Sequence, residues 1–136
     1  MENIRYKPNM LAILLDLSEK HTSEVNKILQ RIMFKLETDD LCLFCSFSDI
    51  HQVMVNAASQ PDYRVHLIAA VDFYNNKLES DVLGVRNDLD LDFYFCKIGK
   101  HNENLEKAVK SHPRGYYFNN MEDLMVKVRE LTGIRE

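Results

Sequence analysis

Three short polar segments each follow an apolar run, and their side chains are of types that can meet around a ligand. The first carries Asp16, Ser18, Glu19, Lys20 and His21, the second Asp72, Tyr74 and Asn75, the third Lys100, His101 and Asn102. Asp16, Asp72 and Ser18 together make two carboxylates and a hydroxyl, a hard-oxygen donor set that suits Mg²⁺ or Mn²⁺. Lys20 opposes that chemistry, because a fixed positive charge close by repels a divalent ion and can neutralise the carboxylates directly. An Asp at the end of a strand also has a simpler use, which is to cap the turn that follows.

The remaining reactive types lack the spacing that chemistry needs. None of the five histidines stands at an i, i+4 or other metal-ligand interval, so solvent exposure or capping is expected for His51, His66 and His112. His21 and His101 fall on the polar segments and can face each other or a ligand. Cys42 and Cys45 have C-x-x-C spacing but lie inside an apolar run. A redox pair belongs at a helix N-terminus, where the dipole lowers the thiol pKa, so these two and Cys96 are expected to be core residues. No G-x-G-x-x-G, P-loop or G-x-S-x-G motif occurs.

The elements that position these residues follow from hydrophobic patterning. Residues 10–17, 41–47 and 64–73 are apolar runs of strand length, and the continuous hydrophobicity of the first and last points to burial on both faces of a parallel sheet. Residues 89–98 are a further strand, in which Leu89, Leu91, Phe93 and Phe95 alternate with Asp90, Asp92 and Tyr94. A last short strand covers 115–118. Val25, Ile28, Leu29, Ile32, Met33 and Leu36 form one helical stripe, with Thr22 or Ser23 expected as its cap. Helices are also expected over 75–86, after Asn102, and from Asn120 to a stop at Gly133. Residues 51–56 are expected to form a short strand pairing antiparallel with 41–47. The result is one α/β domain over 1–136, with a mostly parallel sheet, one antiparallel edge and helices on both faces.

Bulk properties narrow the setting. With 46% hydrophobic and 28% charged residues the chain is of ordinary globular composition. The net charge of −4 and the lack of any Lys/Arg run argue against nucleic acid as the main ligand. No stretch reaches the ~18 apolar residues of a membrane span. A polar N-terminal segment and three sparse cysteines lead to the expectation of an intracellular, cytoplasmic or nuclear protein.

In succession these pieces resemble a von Willebrand factor type A domain. The resemblance is carried by Leu14 to Ser18 closing the first strand and by Leu41 to Asp49 as the second. Ile98-Gly99, Gly115 to Phe118 and Glu122 to Leu124 continue it to the end of the chain. The family's metal-ion-dependent adhesion site uses a D-x-S-x-S loop, a Thr on a later loop and an Asp after the fourth strand. Asp16, Ser18 and Asp72 match three of those positions. Lys20 replaces the second Ser, and the Thr, with the long helix beside it, is missing from the short 57–64 interval. The resemblance therefore implies a Rossmann-like sandwich with a degenerate site that holds metal weakly or not at all.

What it implies of function is a non-catalytic scaffold that presents its loop rim, here Glu19, Lys20, His21, Tyr74, Lys100 and His101, to a partner protein. A missing helix would also leave one sheet face thinly covered and open to homodimerisation. Two other readings stand beside it. One is a Mg²⁺- or Mn²⁺-dependent ligand-binding domain of the same family. The other is a small doubly wound enzyme or receiver-like domain, against which Asp16 lacks an acidic neighbour and Lys97 and Lys100 lack a following Pro.

Overall fold

The structure, a computed structural model, describes residues 7–37 and 39–134. The chain alternates strand and helix throughout: β1 (Asn9–Asp16), α1 (Glu19–Met33), β2 (Leu41–Cys45), a 3-10 turn (Phe47–Asp49), α2 (Ile50–Ala58), β3 (Arg64–Val71), α3 (Asn76–Leu83), β4 (Leu91–Lys97), α4 (Glu103–Lys110), β5 (Gly115–Phe118) and α5 (Met121–Thr132). The five strands form one sheet in the order β2-β1-β3-β4-β5, and every neighbouring pair is parallel. This is one of the two common doubly wound orders, and its switch point lies between β1 and β3, where consecutive connections leave in opposite directions.

The expected antiparallel edge is not there. Residues 51–56 are helical because Ile50, Val53, Met54 and Ala57 recur at i, i+3, i+4 and i+7, and all four are buried. The β-branched Val53 and Val55 around Met54 imitate a strand, but Val55 points to solvent. Ser46 starts this helical stretch, its hydroxyl accepting the Ser48 N–H at 3.3 Å. Phe47 leaves the strand for the core and packs edge-on to Phe95, with centroids 6.0 Å apart. α2 thus occupies the sheet face that was expected to be thinly covered.

Right-handed crossovers then decide the layers. α1 and α5 pack on one face against Leu11, Ile13, Ile68, Ala70 and Tyr94. α2, α3 and α4 pack on the other against Ala12, Leu14, Leu67, Phe93 and Phe95. Central strands β3 and β4 are buried along nearly their whole length, β3 on a mostly apolar run and β4 in spite of its alternating sequence. Cys42 and Cys45 face opposite layers, so the C-x-x-C pair does not converge, and Cys96 is a core thiol pushed up to about 12 by burial.

The helix ends follow local chemistry. Asn102 and Asn120 cap α4 and α5 by accepting the N–H of Leu105 and Asp123, both at 2.9 Å. Gly133 closes α5 in the left-handed conformation, φ 75°. α1 starts a turn earlier than expected: its N-cap is Ser18 rather than Thr22 or Ser23, with the Ser18 carbonyl accepting the N–H of His21 and Thr22. Among the described residues no helix is long and apolar enough to cross a membrane.

Candidate functional site

The parallel strands deliver their carboxyl ends to one rim, where open α/β sheets place their ligands. β1 and β3 run in register from Asn9↔Arg64 to Asp16↔Val71, so Asp16 and Asp72 end adjacent strands at the switch point. Asp72 is the most heavily bonded side chain there. Its Oδ2 accepts the Ser18 N–H at 2.8 Å, the Ser18 hydroxyl at 2.6 Å and His21 Nδ1–H at 2.7 Å. Burial by itself would raise this carboxyl, but the hydrogen bonds from His21 and Ser18 outweigh it and hold the pKa at about 2.

That arrangement explains the shift in the start of α1. Ser18 makes no side-chain cap, because its hydroxyl is committed to Asp72. His21, brought into the first turn of α1, supplies the ring N–H donor of the pair. Lys20, which could neutralise the carboxylates, is exposed. Asp16 is held separately: the Ser46 hydroxyl donates to its Oδ1 at 2.9 Å, and Ser48 lies 2.9 Å behind Ser46. Ser46 and Ser48, absent from the sequence-derived site, belong to it. The signal was their place just beyond an apolar strand, but that stretch looked like strand and hairpin.

Ser18, His21 and Asp72 are the residue types of a hydrolytic triad without its geometry. A working triad needs the hydroxyl on one ring nitrogen and the carboxylate on the other. Here Ser18 Oγ lies 3.3 Å from Nδ1, the nitrogen that already faces Asp72, and its proton is given to the carboxylate. The cluster ties the β1–α1 loop to the end of β3.

The other rim residues do not gather around it. His101 faces Asn119, 3.1 Å from Nδ1, and Glu106, 3.2 Å from Nε2, so the two rim histidines take separate partners. Tyr74 folds onto the core and donates its hydroxyl to Glu79 at 2.7 Å, leaving Phe73 as the exposed aromatic. Lys97, buried at the end of β4, donates to the Ile98 carbonyl at 2.9 Å. A cleft of ≈ 140 Å³ at the switch point is lined by Asp16, Ser48, Phe73, Asn75 and Asp81, among others. Among the described residues no group of three or more His, Cys, Asp or Glu side chains is gathered as a metal ligand set.

A second polar cluster lies at the opposite, N-terminal end of the sheet. His66 and Asp92 are register partners on β3 and β4, and both are buried, His66 fully so. Asp92 receives Arg64 at 2.9 Å and Arg114 at 2.8 Å on its two oxygens. Burial raises such a carboxyl, but the two guanidinium groups outweigh it and leave its pKa below the usual value. His66 Nε2–H donates to Asn9 Oδ1 at 3.0 Å, while Nδ1 accepts the Tyr94 hydroxyl at 2.7 Å. Burial lowers the pKa of His66 to about 4 despite Asp92 nearby, so the ring is neutral at pH 7. His66 therefore meets neither the expected exposure nor a capping role, and alternation in β4 concealed that Asp92 also points inward. His112, also buried, fulfils the capping expectation by donating to the Val82 carbonyl at 2.7 Å near the end of α3.

With fold and geometry in place, what is defined is a doubly wound α/β domain with a polar switch-point rim. The chain matches no protein-family model, no curated protein and no solved structure. The five-stranded parallel sheet flanked by helices is compatible with a von Willebrand type A-like architecture at that coarse level.

Proposed function

We propose that this chain is a non-catalytic protein-interaction module that engages a partner through the loops at the carboxyl ends of its parallel strands. The observation that carries this reading is the triple use of Asp72 Oδ2 by Ser18 and His21. The groups best suited to chemistry are spent on fixing the rim, and a rigid rim is what a recognition surface requires. Around them Glu19, Lys20, Lys100 and Phe73 are exposed, giving charge of both signs and one aromatic side chain, a composition suited to a protein contact. The partial match of Asp16, Ser18 and Asp72 to a metal-dependent adhesion site supports the same loops as the contact face, in a scaffold that has lost its dependence on metal.

The test is site-specific photo-crosslinking in cells. A photoreactive residue at position 20 or 100 is expected to trap one discrete partner, and the same residue at Lys35, at the other end of α1, is not. Equal trapping from all three positions, or none from the rim, would remove the proposal.

A second reading has one observation in its favour. Asp16 and Asp72 end adjacent strands with the Ser18 hydroxyl bonded to Asp72, so three hard oxygen donors share one rim. In that reading they hold Mg²⁺ or Mn²⁺, and an acidic side chain of the partner completes the coordination. Melting in EDTA and in millimolar Mg²⁺ or Mn²⁺, beside Asp16→Ala, separates the two. The proposed module melts identically with and without metal, whereas a metal-dependent rise lost in Asp16→Ala would install the second reading.

A further inference from the structure

The two edges of the sheet are managed differently. β5 is four residues long, begins at Gly115 just after Pro113, and stacks Tyr116 and Tyr117 on Tyr94 and Phe95 of β4. The Lys127 ammonium lies 5.3 Å over the Tyr116 ring, so this edge is short and has a charge beside it. β2 has neither protection. Among the described residues it pairs with β1 alone, its five residues include no charge, proline or glycine, and Leu41 and Phe44 are 40% and 49% exposed. The acid that precedes it, Asp40, is tied back, accepting the Asn9 N–H on Oδ1 at 2.8 Å and the Glu37 N–H on Oδ2 at 3.0 Å. An uncharged apolar edge with unpaired backbone groups is a template for another strand.

We infer that β2 is the seam of a two-fold dimer, in which the β2 strands of two copies of this chain pair antiparallel and join two five-stranded sheets into one. The strand is self-complementary in that arrangement. With the axis at Leu43, Leu41 faces Cys45 of the other copy and Cys42 faces Phe44, so only apolar side chains meet across the five positions. Residues directly opposite in an antiparallel pair point to the same side of the sheet. Leu43 and Cys45 therefore stay in the layer of α2 in both copies, and Cys42 stays in the layer of α1. Charge also fits: no ionised group enters the paired segment, and just beyond it the tethered Asp40 faces Ser46 rather than an acid. Phe34, just after α1, and Val55, on α2, are further exposed apolar side chains in the segments that precede and follow β2. An isologous contact of this kind closes on itself and leaves no further open edge at β2. It lies along the side of the sheet, so it leaves the carboxyl-end rim free and does not depend on what that rim binds.

Sedimentation velocity of the purified chain across a dilution series tests the dimer. Wild type is expected to sediment as a dimer at high micromolar concentration and to dissociate on dilution. Phe44→Lys places two ammonium groups at one seam and is expected to weaken association by roughly a hundredfold. Val126→Lys, at an exposed apolar site on α5, is expected to leave it unchanged. Leu41→Lys serves as a second edge variant should Phe44→Lys lose its helical circular dichroism. A wild-type monomer throughout, or a dimer that persists in a folded Phe44→Lys or Leu41→Lys chain, overturns the inference.

Discussion

The two ends of the sheet each hold a bonded aspartate and a histidine, arranged to opposite effect. At the amino ends, Asp92 is paired with two arginines, and His66 is sealed between Asn9 and Tyr94 as a neutral ring. At the carboxyl ends, Asp72 is paired with His21 and Ser18 on half-buried ground beside the N-terminus of α1. The first cluster joins strands to each other around a buried His66 and Asp92, with its arginines reaching toward solvent. The second joins a loop to a strand where a partner can reach it. Loss of the buried cluster should therefore be read in stability, and loss of the rim in binding.

Asp92→Ala should have the largest effect. Removing it takes the shared acceptor from Arg64 and Arg114, whose own side chains are partly exposed, and losing two charge-assisted hydrogen bonds on a buried carboxylate costs about 3 kcal/mol. Urea denaturation measures this directly, and a loss below about 1 kcal/mol would show that the network only decorates the strand ends. His66 gives the same cluster a pH signature. Its folded pKa, about 4, lies below the ordinary 6.5, so the unfolded chain takes up the proton first as pH falls. Its contribution is complete above pH 6.5 and is lost progressively down to pH 4, by about 3 kcal/mol in all. His66→Gln should flatten that stretch of the stability profile, and an unchanged slope would assign it to other groups.

The rim answers in a different window. Asp72 has a folded pKa of about 2 against an ordinary 3.8, so its contribution is present above pH 3.8 and disappears toward pH 2. Asp72→Asn should cost about 2 kcal/mol at pH 7 and almost nothing at pH 2. A cost that survives at pH 2 would mean that packing, rather than the hydrogen-bonded carboxylate, holds the loop.

The same contrast shows what the sequence could reveal. Strand ends are legible because a buried parallel strand must be apolar along its length and must stop at a polar residue. Asp16, Ser18 and Asp72 were found in that way, as were the Asn102, Asn120 and Gly133 helix ends. α2 was misread because Val53 and Val55 favour strand locally, and its helical stripe of Ile50, Val53, Met54 and Ala57 is only two turns long. The buried cluster was hidden for another reason. Alternation marks the two faces of a strand as different, but β4 is covered on both, so Asp92 looked like a solvent residue when Arg64 and Arg114 were waiting for it. Which donors reach a carboxylate depends on register between distant segments, and neither His21 on Asp72 nor Ser46 on Asp16 has a signature in local spacing.

The smallest effect on stability separates the two ends most sharply. Lys20 and Lys100 are exposed, and no hydrogen bond of the rim depends on either, so Lys20→Glu with Lys100→Glu should shift stability by less than about 0.5 kcal/mol. If the rim is the contact face, the same double variant should lose its crosslinked partner, because reversing two charges at an interface acts on encounter and register rather than on folding. A variant as stable as wild type that has lost its partner cannot be explained by the buried cluster. One that keeps its partner would move the contact away from the carboxyl ends, although those ends carry the most tightly held carboxylate on the rim.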